Sequence, residues 1–360
     1  MMDVCRKIVA LTTVALLCCC NGKDTLLDLY PMEPIVNPEV GVLIDGNRII
    51  HVDFDGRQQI SGVTEAGIFM TTDRFRSLDF EPHAWQVSDG VVTFGDGIIV
   101  HAQAAGVSFV LRYSTDDGKT WTTFGEPIVD ERLLAVGSVS PVQLSVVQGG
   151  SIWVLCQQGR VGSRRALLYR VDLEQQRSAL MMDKAGAMTL DFGFADSLHG
   201  WVLYGLPSEG AGRTRLLRTE NGGQTWRDGA VLEGLEQPAV AAITKDDLLV
   251  YSPEGAAFRS ADGGISFEPV TIGGQIIACH AASSDIVYAL LENGLAKSTD
   301  GGSSWNALDA FVHGVEVSGT ALDFRDERAG IVYGADRLFM TNNGGQSWEL
   351  LAYPYDYVFD

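Results

Sequence analysis

The stretch Ser298-Thr299-Asp300-Gly301-Gly302-Ser303-Ser304-Trp305 is one of five near-copies of a single eight-residue pattern, polar-x-Asp/Asn-x-Gly-x-Ser/Thr-aromatic. The others are Ser114 to Trp121 (STDDGKTW), Thr219 to Trp226 (TENGGQTW), Ser260 to Phe267 (SADGGISF) and Thr341 to Trp348 (TNNGGQSW). The third-position side chains, Asp116, Asn221, Asp262, Asp300 and Asn343, can accept hydrogen bonds from the N–H groups of their own turn. The fifth-position glycine admits φ > 0 without steric cost. The closing aromatics, Trp121, Trp226, Phe267, Trp305 and Trp348, begin the next strand. Each of these offers roughly 150–250 Å² of ring surface to the layer beneath. The pattern therefore predicts a self-capped hairpin pinned to a core.

Two weaker copies extend the series. Thr71-Thr72-Asp73 with Ser77-Leu78 keeps the polar and acidic positions, with Asp73 as the capping acid and Phe75 where glycine belongs; Tyr169-Arg170-Val171-Asp172 keeps little beyond the acid. Starts at 71, 114, about 170, 219, 260, 298 and 341 are separated by about 45 residues on average, the size of one four-stranded propeller blade. The expected fold is all-β, a seven-bladed β-propeller over residues 41–360, with six or eight blades as the alternatives.

The eight-residue pattern resembles the Asp box of the sialidase-like, or BNR-repeat, β-propellers, a group that includes sortilin-type receptors and photosystem II assembly-factor-like proteins. A second pattern, F-x-D-x-x-x-G-apolar, occurs at Phe194 to Trp201 and at Phe324 to Ile331, each time ahead of an Asp box. That arrangement is similar to the repeat of the photosystem assembly-factor-like branch. The resemblance spans about residues 66–350. It implies a propeller fold in which the boxes are rim staples, and says little about activity.

Residues 1–20 read as a lipoprotein signal: Arg6-Lys7, the mostly apolar run Ile8 to Leu17, then Cys18-Cys19-Cys20. Cys20 is the expected lipid attachment site, with Cys19 as the alternative. Residues 21–40, with three prolines and no strand periodicity, are the expected tether. The implied location is a bacterial envelope, facing the periplasm, on the outer membrane in preference to the inner.

At 360 residues, with 46% hydrophobic and 20% charged residues, the chain can bury a large core. The formal net charge is −20, and −21 without the signal's Asp3, Arg6 and Lys7, which makes nucleic acid a poor partner. Cys156 and Cys279 lie in apolar strand-like runs assigned to blades three and five, so they are expected as free thiols without a disulfide between them. The aromatic end, Tyr353 to Asp360, is expected to form the outer strand of the last blade, with Gly41 to Asp45 the candidate N-terminal strand to complete it.

Signatures of chemistry are sparse. A sialidase of this superfamily would need an arginine triad, a Tyr activated by Glu and an Asp acid/base. The earliest arginines after the signal, Arg48 and Arg57, are not followed by the proline that its first arginine segment carries. The histidines His51, His83, His101, His199, His280 and His313 show no HxH or HExxH spacing, and no phosphate-binding glycine loop appears. No cofactor and no metal are expected.

One feature runs against the acidic balance: Arg160, Arg164, Arg165, Arg170 and Arg177 fall within eighteen residues of the most irregular repeat. Such a cluster is a candidate recognition patch for a carboxylate, a phosphate or an acidic protein face, unless it pairs with nearby acids such as Asp172 and Glu174. Together these readings predict a non-enzymatic, lipid-anchored propeller that is monomeric when free, touches the membrane only through its lipid, and binds a partner protein. It would act as an assembly factor or as an immunity-type inhibitor of an envelope toxin or hydrolase. The alternative is a glycan-binding or sialidase-like glycoside hydrolase at the cell surface.

Overall fold

All five full-pattern hairpins form, and each joins the third strand of a four-stranded antiparallel sheet to its fourth. In a computed structural model of the chain, the described residues are 48–352 apart from 55–58, 73–78, 83–89, 130–136, 148–149, 160–163, 211, 313–314 and 336. They build seven such sheets, blades one to seven, over residues 49–82, 90–123, 139–185, 188–233, 239–270, 276–308 and 321–352. A short hairpin, Phe311–Val312 with Val315–Glu316, stands in the connection between blades six and seven.

The first strands of successive blades lie against one another, and Ile49–Phe54 of blade one meets Ala321–Phe324 of blade seven, so the seven sheets close into a ring. Both blades at the closure are built from continuous segments. The outer strand of blade seven is Glu349–Ala352, supplied before the aromatic end begins. Gly41 to Asp45, Tyr353 to Asp360, Cys20, Asp73 and Arg160 all lie outside the described residues.

Hydrogen bonds explain why each box position carries its residue type. In the box at 298, the Ser298 hydroxyl donates to Asp300 Oδ1 (2.8 Å) and accepts from Gly302 N (2.8 Å). Ser304 donates its N–H to Asp300 Oδ1 (2.8 Å) and its hydroxyl to Oδ2 (2.6 Å), while Trp305 Nε1 donates to Gly302 O (3.0 Å). Where asparagine replaces aspartate the link to the seventh-position hydroxyl reverses direction: Asn221 Nδ2 donates to Thr225 Oγ1 and Asn343 Nδ2 to Ser347 Oγ, both at 2.8 Å. Positions four and five are both left-handed, as at Gly301 (φ 65°) and Gly302 (φ 85°). This accounts for the glycine pairs.

The F-x-D-x-x-x-G segments are the turns between first and second strands. Asp196 Oδ1 accepts from Leu198 N (2.7 Å) and His199 N (2.8 Å), and Asp326 Oδ1 from Arg328 N (2.8 Å) and Ala329 N (2.9 Å). The phenylalanine ring folds over the glycine, where an added Cβ would come within 2.4 Å of Phe194 at Gly200 and 2.2 Å of Phe324 at Gly330.

The described residues bury seven apolar clusters, one at each boundary between blades. A box aromatic joins the cluster toward the preceding blade: Trp121 packs with Val63, Ile68 and Met70 of blade one, and Trp348 with Tyr288 and Leu290 of blade six. Burial of these rings, about 25 cal/mol per Å² removed from water, ties each hairpin to its neighbour. Trp348 is only 2% exposed, whereas Trp121, Trp226, Phe267 and Trp305 are half-buried. The boundaries two/three and seven/one have no box aromatic, since blades three and one carry the degenerate copies.

Cys156 is a buried free thiol in blade three and Cys279 a half-buried one in blade six. The assignment of Cys279 to blade five is thereby corrected. Each box sits late in its blade and is followed by that blade's outer strand, Glu268–Val270 after the box at 260, so Cys279 beyond it belongs to the sixth.

Candidate functional site

Strands alternate in direction, so the boxes and first turns of all blades share one end of the ring, the Asp-box face. The hairpins between second and third strands and the connections between blades share the other, the hairpin face. Two regions hold the candidate functional side chains: the boundary where blade seven meets blade one, and the arginine-rich third blade.

At the seven/one boundary polar groups take the place of the missing box aromatic. Asp323 Oδ2 accepts from Phe54 N (3.1 Å), Asp323 Oδ1 lies 3.2 Å from His280 Nδ1, and Ile49 N donates to Ala335 O (2.9 Å). Tyr333 Oη and His51 Nδ1 are 3.1 Å apart, and the His51 ring stacks on Phe94 at 5.6 Å. Burial pushes His51 down to about 4, the Asp323 charge offsetting part of the effect. Burial would raise the Asp323 carboxyl, but His280, a hydrogen bond with Asp53 and the Phe54 N–H hold it below its ordinary value. Beside this cluster, toward the Asp-box face, is a cavity of about 190 Å³ lined by Phe54, Ile60, Thr71, Arg325, Met340 and Asn342. The Arg325 guanidinium lies 5.7 Å over the Phe54 ring and pairs with Asp326 at 2.9 Å.

The same device recurs around the ring, where side chains of the first or second strand bond the backbone of the next blade. Gln143 of blade three accepts from Phe192 N and donates to Phe192 O of blade four, both at 3.2 Å. Asp191 of blade four accepts from Val240 N of blade five (2.7 Å), and Cys279 N of blade six donates to the Tyr251 hydroxyl of blade five (3.1 Å). Burial pushes Asp191 up to about 6 against the N–H groups of Val240 and Phe192 and the Gln143 amide. Gln143, Asp191 and Asp323 were not singled out from sequence, since single polar residues in strands leave no local pattern; His51 and His280 were weighed there only for metal-ligand spacing.

The described arginines of blade three, Arg164, Arg165, Arg170 and Arg177, are spread along the blade. Arg164 and Arg165 stand at the hairpin face; Arg165 makes two hydrogen bonds to Asp183, at 2.8 and 2.5 Å, and Arg164 Nη1 reaches Met188 Sδ at 2.7 Å. Arg170 donates to Ser151 Oγ (2.9 Å) and lies 5.9 Å over the Trp153 ring, and Arg177 opens the outer strand Arg177–Ala185 toward the Asp-box face. The acid that Arg165 meets is Asp183 across the sheet, in place of the sequence neighbours Asp172 and Glu174. His199 pairs with Asp196 at 2.9 Å in its turn, and among the described residues no three His, Cys, Asp or Glu side chains are grouped to hold a metal.

Residues 112–123 match the family model of the BNR/Asp-box repeat. The solved structure of YCF48 bound to D1 peptide is 17% identical, with a TM-score of 0.57 over 86% of this chain and 94% of that one. YCF48 from Cyanidioschyzon merolae is 14% identical, with a TM-score of 0.51 over 83% and 94% of the two chains. Hsv2 of Kluyveromyces lactis is 10% identical, with a TM-score of 0.50 over 84% and 98%. No curated protein matches the sequence. At these identities the likeness speaks to fold alone: the chain is a β-propeller of seven blades that carries a BNR/Asp-box repeat.

Proposed function

We propose that this protein is a non-catalytic propeller, tethered to a bacterial envelope membrane through a lipid on Cys20, that binds a partner protein as an assembly factor or as an immunity-type inhibitor. The observation that carries the reading is the use of the inner-strand side chains. Gln143, Asp191 and Asp323, polar side chains of the innermost strands, are each bonded to the backbone of a neighbouring blade. A general acid or base has to reach substrate, and these hold the ring together instead. Structural neighbours support the reading, since a YCF48 propeller of this shape holds a peptide. The hairpin face, with Arg164 and Arg165 at its blade-three edge, is the proposed contact surface, because loops held by a rigid scaffold are where such folds carry recognition.

The test is chemical cross-linking of the full lipidated protein in its native envelope, read by mass spectrometry, with an Arg164→Ala/Arg165→Ala variant alongside. One near-stoichiometric protein, reduced in the variant, is expected, and its identity separates assembly from inhibition. Absence of any protein partner, with turnover of an envelope glycan by the purified chain, would overturn the reading.

A further inference from the structure

Blades five and six expose a continuous strip on the hairpin face that nothing in the chain covers among the described residues. Its apolar members are Ile277, 38% exposed at the start of the inner strand of blade six, and Phe311, 47% exposed in the hairpin before blade seven. Its acids are Glu254, Glu292 and Asp309, all exposed, and Glu316, half-buried. Contacts between neighbouring segments join them. Gly255 packs on the carbonyl of Gly274, Glu292 N donates to Gln275 O (3.0 Å) two residues before Ile277, Glu316 Oε1 lies against Gly294, and Phe311 faces Glu316 across its hairpin.

Charge on this strip is one-sided. Between residues 246 and 320 the only lysines and arginines are Arg259 and Lys297. Both are committed to the opposite face, where Arg259 Nε donates to Gly301 O (2.7 Å) and Lys297 Nζ reaches Gly344 O (3.4 Å). None of the four acids makes an ion pair among the described residues. Exposed apolar side chains inside an unneutralised acidic rim suit a ligand of opposite charge with its own apolar groups, which the rim steers and the centre buries.

We infer that this strip docks a segment of the partner protein in which lysines or arginines stand beside apolar side chains. The inference rests on the protein-binding reading above and adds where the partner sits and what chemistry it presents. An anionic membrane surface is repelled by the same four acids.

A photo-reactive benzoylphenylalanine placed by substitution at Phe311, with the same probe at Ile265 on the Asp-box face as control, tests it in the native envelope. A Glu254→Lys/Glu292→Lys variant and a synthetic peptide of alternating Lys and Leu provide the second arm. The expected result is a cross-link from position 311 and not 265, to a partner peptide rich in basic and apolar residues. The charge-reversed variant should bind the Lys-Leu peptide about tenfold or more weakly, with the wild-type affinity falling as salt rises. Unchanged thermal unfolding would show that the variant is folded. Capture from position 265 alone, or from 311 to a second copy of this chain or to an acidic segment, overturns the docking strip and leaves protein binding standing. No capture from either position overturns both.

Discussion

Tyr288 Oη lies 3.1 Å from the carbonyl oxygen of Gly344, so a hydroxyl of blade six donates into the Asp box of blade seven. The amide of the same glycine donates to Arg328 O (2.9 Å), in the first turn of its own blade. Position four of a box therefore ties its hairpin inward to its own blade and sideways to the preceding one. Trp201 Nε1 donates to Gly263 O (2.9 Å) and Arg259 Nε to Gly301 O (2.7 Å) in the same way at two further boundaries.

Tyr288→Phe removes that link while keeping the ring, which stacks on Phe324 at 3.6 Å. The expected loss is about 1 kcal/mol of unfolding free energy, the net worth of one neutral hydrogen bond, since Lys297 Nζ still reaches Gly344 O. Tyr288→Ala also opens the core and should cost about 3–5 kcal/mol. Chemical denaturation checks both, and equal losses for the two variants would contradict the assignment.

The two left-handed positions of the box predict opposite outcomes for two substitutions. Asp117 (φ 60°) occupies position four of the box at 114, where the other boxes have Gly222, Gly263, Gly301 and Gly344. Asp117→Gly should stabilise by about 0.5–1 kcal/mol, because a left-handed L-residue costs roughly 1–2 kcal/mol and glycine gives back part of that in chain entropy. Gly223→Ala should destabilise by about 2–4 kcal/mol, since at φ 78° its Cβ would stand 2.6 Å from the buried Trp153 ring. Melting temperatures moving in opposite directions confirm the pair.

Much of the ring was legible in the sequence because the box is local: its side chains cap their own turn, so eight residues suffice to locate the joint between third and fourth strands. The degenerate copies at 71 and 170 were also placed at such joints, which gave seven blades. Boundary chemistry was not legible, because Gln143, Asp191 and Asp323 meet backbone about 50 or more residues away, with no spacing rule. The arginine cluster misled for a related reason. Eight strand residues, Arg165–Asp172, span about 26 Å, which puts neighbours in sequence at opposite faces of the ring.

His51 predicts acid sensitivity. Its folded pKa, about 4, lies below the ordinary value of 6.5, so the stability it contributes is present above 6.5 and is lost as pH falls through about 4. The difference corresponds to on the order of 3 kcal/mol. His51→Phe keeps the stack on Phe94 and leaves the Tyr333 hydroxyl its hydrogen bond at Val52. The variant should lose less stability than wild type between pH 6.5 and 4. Parallel curves for the two proteins would show that His51 is not the group responsible.

Asp191 predicts the reverse slope. Burial raises its folded pKa to about 6 from the ordinary 3.8, so the neutral acid is favoured in the folded chain. Its contribution is fully present below about 3.8 and is lost as pH rises through about 6, by on the order of 2–3 kcal/mol. The Val240 N–H, 2.7 Å away, and the Phe192 N–H, 2.8 Å away, moderate that loss without cancelling it, which is why the carboxylate can persist at the boundary of blades four and five. Asp191→Asn cannot titrate, and its amide N–H₂ must face one of those donors, so the variant should be less stable than wild type at pH 4. Between pH 4 and 7 the gap should narrow by about 2–3 kcal/mol, as only the wild type acquires a buried charge. Unfolding free energies of the two proteins at pH 4, 5, 6 and 7 decide the matter, and a gap that stays constant would place the Asp191 carboxyl in the ordinary range.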